Sequence, residues 1–228
     1  MVYYLQCKYG KDWVKDGALQ YSQEEIAEGF DFLKNLEDNH VIPTLQKVAG
    51  DGADLIDTNA NWIDGHYAGI FLYDTSVVKH AEAVKDGEFV IGDYIKMGDY
   101  HGGFIKVNQA FGISATTEHP AEAAALIQFL VAEEDGVKTL GDTRGVPANK
   151  EGLAMLDLSG SQVAEANAKA VAWSSFQMDP TFERSSFTGA DGTFFNALQL
   201  SSYGESDSMS CAQIVMDGVA KELAASGS

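Results

Sequence analysis

Apolar positions near the start of the chain recur with a helical period. Ser22 and Glu25 stand three residues apart, a capping-box pattern typical of a helix N-terminus. The apolar residues that follow are spaced by four, three and three: Ile26, Phe30, Leu33 and Leu36. Because this spacing places them on one face, it predicts an amphipathic helix that ends near Asn39.

Shorter apolar runs in the middle of the chain predict strands. Residues 66–74, "HYAGIFLYD", follow a glycine and are aromatic and apolar, which favours a buried strand whose end carries Tyr73 into a loop. Residues 87–109, "GEFVIGDYIKMGDYHGGFIKVNQ", predict a strand and a glycine-containing loop, and a further apolar stretch ends at Ile113. Helical and strand patterns therefore alternate, as in a layered α/β fold.

The segment 111–130, "FGISATTEHPAEAAALIQFL", combines both patterns. Its apolar start predicts a strand, and Pro120 stands where the first turn of a helix tolerates proline. Apolar residues lie on most sides of this helix, which predicts a buried one. After residue 149 strand patterns disappear, and helices are predicted at 153–156, 163–173, 194–200 and 211–223.

Composition and charge narrow the functional classes. The 228 residues carry a net charge of −19, which repels phosphate backbones and predicts no nucleic-acid partner. Cys7 and Cys211 lie near opposite ends, and the sequence leaves open whether they form a disulfide. The first residues show no secretion signal. We therefore expect either a cytosolic protein or a chain that begins partway into a longer one.

Motifs for common chemistry are absent from the sequence. It contains no Gly-x-Ser-x-Gly and no phosphate-binding Gly-x-x-x-x-Gly-Lys loop. The five histidines never fall three or four residues apart, and neither cysteine has a nearby partner, so we expect neither a metal nor a cofactor. The 34 acidic residues leave open a carboxylate pair of the glycosidase type.

Aromatic residues beside small polar and acidic residues recur in the predicted loops. They are found at Tyr73-Asp74, at Asp99-Tyr100-His101, at Trp173 and Phe176, and in "FTGADGTFF". A sugar is held in this way, with a ring against its C–H groups and polar side chains on its hydroxyls. Each ring taken singly also fits a core position.

Several stretches in this order resemble the later half of the family 1 extracellular solute-binding proteins, the sugar-capturing components of ABC importers related to maltose-binding protein. The resemblance is carried by "YSQEEIAEGFDFLKNLEDNHVIP", "NANWIDGHYAGIFLYDTS", "GGFIKVNQAFGISATTEHPAEAAALIQFLVAEEDG", "RGVPANKEGL", "DGTFFNAL" and "QIVMDGVAKELA". It implies a class II periplasmic-binding-protein-like α/β fold, mainly one lobe with a strand–helix segment from the other. Residues 1–103 and 149–228 would form the second lobe and 104–148 the crossover segment, with most of the first lobe absent.

The resemblance also implies a function. A carbohydrate would bind between two lobes that close about a hinge, and the closed form would be recognised by the permease subunits of an ABC importer. The protein would be monomeric and non-catalytic. In full length it would be extracellular, lipid-anchored at the cell surface, or periplasmic.

Site residues follow from the matching motifs. Tyr73 would stack on the sugar, Asp74 would accept hydrogen bonds from its hydroxyls, and Thr75 shares their loop. Further ligand-binding candidates are an arginine before Gly-Val-Pro, two aromatics at a late helix and two loop residues chosen by position: Arg144, Phe194, Phe195, Tyr100 and His101. Gly102 and Gly103 resemble the hinge, where free dihedral angles are needed.

Two other functions remain open at this point. A glycosidase fragment would turn over a chromogenic glycoside and lose that activity when one acid is neutralised. A cytosolic interaction domain would neither bind sugar nor turn it over, and its aromatic residues would all be buried.

Overall fold

The structure is a computed structural model that describes residues 1–51, 55–84, 87–107 and 109–226. The chain divides into two compact units. Unit 1 contains Met1–Leu55, Ile95–Ile105 and Trp173–Ser228, and unit 2 contains Ile56–Tyr94 and Lys106–Ala172. These boundaries differ from 103 and 149, the positions expected from the sequence. The assignment of segments to a first and a second lobe stays a prediction.

Unit 1 is built mostly from helices. The helices are α1 (Val2–Tyr9), α2 (Gln23–Asp38), α3 (Leu45–Gly50), α10 (Ser185–Thr188), α11 (Thr193–Ser202) and α12 (Ser208–Ser226), with a 3-10 turn at Pro180–Glu183. Strands β1 (Val14–Lys15) and β2 (Ala18–Leu19) form an antiparallel hairpin. Strands β3 (Phe104–Ile105) and β4 (Phe176–Gln177) pair in parallel, with Phe104 opposite Phe176.

Helix α2 confirms the capping box. The Ser22 hydroxyl accepts from the Glu25 backbone N–H at 3.3 Å, and a Glu25 carboxylate oxygen accepts from the Ser22 N–H at 2.9 Å. Ile26 and Phe30 are fully buried, as their spacing predicts. The exchange of hydrogen bonds satisfies two backbone donors at the helix start and fixes where its apolar face begins.

Helices α2, α11 and α12 enclose one apolar core. The buried face of α12 includes Cys211, Val215 and Val219, which pack with Phe30 and Phe187 in a single hydrophobic cluster. A β-carbon at Gly218 would lie 2.8 Å from Cγ2 of Thr193, so glycine permits α12 to approach α11 closely. Unit 1 therefore has a continuous interior of its own.

The two cysteines are free and fully buried. They form no disulfide. Burial raises the pKa of the Cys211 thiol.

Unit 2 contains shorter helices joined by extended chain. Its helices are α4 (Ala60–Ile63), α5 (Val77–Ala83), α6 (Pro120–Ala132), α7 (Glu134–Leu140), α8 (Lys150–Leu153) and α9 (Gln162–Trp173), with 3-10 turns at Ile56–Thr58 and Asp74–Ser76. The last residue of α9 belongs to unit 1. The helices predicted at 163–173, 194–200 and 211–223 are present as α9, α11 and α12, whereas α8 overlaps the helix predicted at 153–156 only at Leu153.

Trp62 is the centre of the buried part of unit 2. Its indole N–H donates to the backbone oxygen of His80 at 2.9 Å, and its ring lies 5.4 Å from that of Phe89. Helix α9 also binds the extended segment that contains Phe89. Gln162 donates to the Phe89 carbonyl at 2.8 Å, and Lys169 forms an ion pair with Asp93 at 3.0 Å. This small core is held together by side-chain hydrogen bonds as much as by apolar packing.

The strands predicted in unit 2 are not formed as hydrogen-bonded ladders in the described part of the chain. Residues 66–73 and 87–94 have no strand assignment, and Phe71 and Val90 are 68% and 80% exposed. A strand is defined by a hydrogen-bonded neighbour, and no described segment of unit 2 is assigned as one. The strands predicted for these segments are therefore wrong, because an apolar pattern does not by itself supply the neighbouring strand that a ladder needs.

Helix α6 corrects a second expectation. It begins at Pro120 as predicted, but none of its residues is buried, and Leu126 and Phe129 are 59% and 37% exposed. Its helix neighbours are α7 and α8. The predicted burial fails because nothing in the described chain covers its other faces. Within the described ranges, no helix is long and apolar enough to cross a bilayer.

Candidate functional site

The loop at residues 73–75, called the 73–75 loop below, lies in unit 2 at the start of a 3-10 turn. The Asp74 carboxylate accepts from the Thr75 backbone N–H at 2.8 Å with one oxygen and from the Asn167 side-chain amide at 3.0 Å with the other. Both oxygens therefore already take part in fixing the loop. The role predicted for Asp74, accepting from sugar hydroxyls, would use its remaining lone pairs.

Tyr73 stands next to this anchored carboxylate, with 39% of its surface exposed. The ammonium nitrogen of Lys106 lies 5.2 Å from the centroid of its ring. This is a cation–π distance, and it places a positive charge beside an accessible aromatic face. The arrangement offers a ring for C–H groups and a cation for an oxygen of the same ligand.

Arg144 occupies a tight turn that lies near the same loop. A β-carbon on Gly145 would lie 2.9 Å from Cγ2 of Thr75, so the turn and the loop are in direct contact. The Gly145 N–H donates to the Asp142 carbonyl at 2.9 Å, and the Asp142 carboxylate accepts from the Ser161 hydroxyl. Gly145 has φ of 94°, which favours glycine. The backbone that carries Arg144 is thus fixed, while its side chain is exposed.

Residues 98–103 form a strip of unit 1 that lies against α1. The Tyr100 N–H donates to the Cys7 carbonyl at 3.0 Å, and the Gly103 N–H donates to the Gln6 side chain at 3.0 Å. A β-carbon at Gly102 would lie 2.7 Å from both the Cys7 sulfur and the Tyr3 carbonyl oxygen. Gly102 is therefore required for close packing, and Gly103, with φ of 89°, for its backbone conformation.

This packing bears on the predicted hinge. Both glycines are buried, and the Gly103 carbonyl also accepts from the Phe176 N–H at 3.2 Å. In this part of the chain, the passage from unit 1 to unit 2 lies after Ile105, two residues beyond Gly103. Gly102 and Gly103 lie next to a crossing but are held by hydrogen bonds, and their role as a hinge stays a prediction.

Tyr100 and His101 present aromatic surface on this strip. Tyr100 is 51% exposed and rests on Gly10, and the exposed His101 ring stacks on Trp173 with centroids 4.0 Å apart and planes 9° apart. The stacked pair has the flat shape of an aromatic platform for a sugar ring. The structure brings together here two predicted residues and Trp173.

The aromatic pair on α11 separates into two environments. Phe194 is half-buried and packs against the core of unit 1, with its ring 5.4 Å from Phe187 and 5.8 Å from Phe182. Phe195 is half-buried and is not part of that cluster. Phe187, in the loop singled out for its aromatics, is fully buried. Contact with a ligand stays a prediction for both residues, and the Phe194 ring is the one that also packs against the core.

Two surface grooves of unit 1 lie away from all these residues. One, of about 430 Å³, is lined by polar groups that include Asp31, Lys34 and Asp207. The other, of about 390 Å³, lies between the β1–β2 hairpin and α12 and is lined by Leu19, Met216 and neighbouring residues. Both are shallow and open. We place the candidate site at the exposed aromatic and charged residues because their chemistry, not depth alone, defines a sugar site.

Few residues are suited to other chemistry. Among the described residues, no group of three or more His, Cys, Asp or Glu side chains is placed to hold a metal ion. Both thiols are buried, and the raised pKa of Cys211 disfavours the thiolate that nucleophilic catalysis requires.

Comparisons with known proteins concern the fold. No protein-family model and no curated protein matches the chain. A solved structure of a periplasmic oligogalacturonide-binding protein from Yersinia enterocolitica, in complex with saturated digalacturonic acid, is similar with a TM-score of 0.86 and 24% identity. A periplasmic solute-binding protein from Pectobacterium atrosepticum is similar with a TM-score of 0.78 and 26% identity. Each covers 98% of this chain.

The chain has the fold of periplasmic solute-binding proteins. The predicted α/β class is thereby confirmed, although helices predominate. The chain spans 57% of the length of these proteins. A de novo designed cysteine esterase is also similar, with a TM-score of 0.78 and 24% identity, covering 99% of this chain. The fold alone therefore does not decide between binding and catalysis.

Two residues at the candidate site were missed by the sequence reading. Lys106 was detectable, because a basic residue directly after a predicted apolar stretch is unusual in so acidic a chain. Asn167 was not, because it reaches Asp74 from α9, 93 positions away in sequence. Trp173 was recognised as a loop aromatic, but its stacking on His101 is visible only in the structure.

Proposed function

We propose that this protein binds a carbohydrate as part of a solute-binding component of an ABC importer and catalyses no reaction. The observation that carries the proposal is the exposed Tyr73 ring beside the anchored Asp74 and Lys106, on the fold of solute-binding proteins. An aromatic face next to hydrogen-bonding side chains matches the surface of a sugar.

The neighbouring structures support this proposal. The Pectobacterium protein is named for solute binding, and a further Yersinia structure, 25% identical with a TM-score of 0.76, for oligogalacturonide binding. A relationship to the family 1 proteins, recognition by permease subunits, a monomeric state, and an extracellular or periplasmic location with or without a lipid anchor are the finer parts of the same proposal.

Exposed apolar surface in unit 2 supports the further proposal that this chain works as part of a longer two-lobed protein. Leu126 on α6 and Ile70, Phe111 and Ile113 on extended segments are each more than 40% exposed. This chain matches the Yersinia and Pectobacterium structures over 57% of their own length, so the rest of each structure lies outside the match. Additional chain of that fold would cover this surface, since apolar area is stabilised by removal from water.

The direct test is a saccharide screen by saturation-transfer NMR, which detects weak binding without requiring a thermal transition. We expect at least one mono- or disaccharide to receive saturation from the 228-residue chain. Tyr73→Ala should reduce that signal and weaken affinity about tenfold, in keeping with the loss of one aromatic contact worth about 1 kcal/mol or more. Tyr100→Ala and Phe195→Ala test the unit 1 surfaces in the same way.

Tyr203→Ala is the matched control for Tyr73→Ala. Tyr203 is 40% exposed, slightly more than Tyr73 at 39%, but it caps α11 in unit 1. Equal losses in the two variants would show that the 73–75 loop is not the binding surface. Steady release of product from a chromogenic glycoside would instead favour the glycosidase alternative.

A further inference from the structure

Helix α9 is anchored on both sides of Asn167. On the N-terminal side, Gln162 donates to the Phe89 carbonyl at 2.8 Å. On the C-terminal side, Lys169 forms an ion pair with Asp93 at 3.0 Å. Asn167 lies between these two anchors on the same helix, and neither anchor involves the 73–75 loop. The position of Asn167 is therefore fixed independently of the loop that its side chain reaches.

Asn167 contacts the 73–75 loop through the carboxylate of Asp74. Its side-chain amide donates to one oxygen at 3.0 Å, and the other oxygen accepts from the Thr75 N–H at 2.8 Å. The donor in the second bond belongs to the next residue in the chain, so that bond moves with the loop. Within the described ranges, the hydrogen bond from Asn167 is the one that ties this carboxylate to a separate element of unit 2.

The type of residue at position 167 suits the role of orienting an acceptor. An amide is neutral, so it can hold the Asp74 carboxylate without cancelling its charge, as a lysine or arginine would. Hydrogen bonds to an ionised carboxylate are stronger than those to a neutral acceptor. A carboxylate that is already oriented also loses less conformational freedom when a ligand binds to it. Each oxygen of Asp74 retains a lone pair for a hydroxyl group.

We propose that Asn167 is a positioning residue for carbohydrate binding, which holds the Asp74 carboxylate in the orientation that accepts hydrogen bonds from sugar hydroxyls. This inference rests on the proposed function and adds to it the residue that prepares the acceptor. Asn167 acts through Asp74. Helix α9 supplies the fixed donor, and the 73–75 loop supplies the acceptor that meets the ligand.

The first test removes the donor. Galactose, maltose and digalacturonate serve as probes for the 228-residue chain, and titrations followed by ¹H–¹⁵N spectra measure weak affinities. For each probe that binds, Asn167→Ala should weaken the affinity about tenfold, the effect of losing one hydrogen bond to a charged group. The Thr75 N–H signal should shift even without a probe, because its carboxylate acceptor is released from α9.

The second test, Asn167→Asp, separates positioning from simple support of the fold. It places a second carboxylate beside that of Asp74, and the two repel each other at neutral pH. We expect the affinity to fall there at least as far as in Asn167→Ala. At about pH 5 and below, the pair can share one proton, and an O–H···O bond replaces the lost N–H···O bond. The affinity relative to the unsubstituted chain should therefore recover several-fold on acidification.

Gln162→Ala and Gln162→Glu are the matched controls. They make the same changes on the same helix, but the hydrogen bond that they remove belongs to the Phe89 carbonyl. Both should leave the affinity and the Thr75 N–H signal nearly unchanged, and Gln162→Glu should show no recovery in acid. Equal losses of affinity in Asn167→Ala and Gln162→Ala would reduce Asn167 to a structural residue. Asn167→Asp without recovery in acid would equally overturn the positioning role.

The positioning role and carbohydrate binding fail in different ways. A probe that binds the unsubstituted chain and Asn167→Ala with equal affinity overturns the positioning role and leaves carbohydrate binding standing. Absence of binding to all three probes, and to every sugar of the screen above, overturns carbohydrate binding by this chain and the positioning role with it.

Discussion

Units 1 and 2 contain similar apolar patterns, but they bury the apolar residues to different extents. In unit 1 the apolar faces of α2 and α12 meet in one buried cluster that includes Phe30, Phe187 and Val215. In unit 2 the buried hydrophobic residues are Trp62, Val137 and Val163, as far as the structure describes the chain. The most apolar helix, α6, has no buried residue.

The difference shows that an apolar pattern determines a local structure without ensuring its burial. Helix α6 forms where the sequence predicts it, because its alanines and leucines favour helix and Pro120 fits the first turn. Its burial depends on a partner surface. We therefore expect the two units to respond differently to the same kind of substitution.

Truncation of a large apolar side chain should give the largest difference in the free energy of unfolding between the two units. Phe187→Ala removes a fully buried ring and should lower the free energy of unfolding by about 3–5 kcal/mol. Leu126→Ala removes a side chain that is 59% exposed and should change it by less than about 0.5 kcal/mol. Urea denaturation followed by circular dichroism measures both. A large cost for Leu126→Ala would mean that α6 is covered in solution and that the contrast between the units is false.

Glycine substitution should give an intermediate contrast. Gly102→Ala would place a β-carbon 2.7 Å from the Cys7 sulfur and the Tyr3 carbonyl, and should cost about 1–3 kcal/mol as an overpacked site. Gly112→Ala meets nothing within 4 Å and should be neutral or slightly stabilising, since alanine restricts the unfolded chain. The urea midpoints of the two variants measure this difference in stability. Equal stability would show that the strip at 98–103 is not clamped to α1.

Acidification should lower the stability of the two units in different pH ranges. We expect this to be the smallest of the three contrasts. In unit 2, burial lowers the pKa of His80, whose Nδ1 has no hydrogen-bond partner among the described residues. The unfolded chain then binds a proton more readily, so stability is lost as pH falls below the ordinary value of about 6.5. In unit 1, hydrogen bonds from Lys8, Tyr9 and Tyr4 lower the pKa of Glu28 to about 2.

The stabilisation by Glu28 is therefore present at neutral pH and lost only as pH falls from the ordinary glutamate value of about 4.3 toward 2. The indole NMR signals of Trp62 and Trp13 report units 2 and 1 in a pH titration. We expect the Trp62 signal to respond first. Glu28→Gln should flatten the acid response of Trp13 alone, and simultaneous changes in both indoles would contradict separate titrations.

Prediction from the sequence succeeded where the signal was local. The capping box of Ser22 and Glu25, the first turn at Pro120 and the order of the late helices depend on neighbours a few residues away. The ligand-binding roles of the predicted residues stay predictions. Tyr73, Tyr100 and His101 are exposed, whereas Phe194 is half-buried and packs against the core, because one face of α11 is buried.

The sequence by itself determined helices α2, α6, α9, α11 and α12, the acidic character of the chain, and the positions of aromatic residues beside polar ones. These properties depend on residue type and short spacing. Only the tertiary structure decided that Asn167 anchors Asp74, that the turn of Arg144 packs on Thr75, and that Trp173 stacks on His101. Each of these contacts joins residues about 70 or more positions apart, and such pairs are selected by packing of the whole unit, which no local pattern encodes.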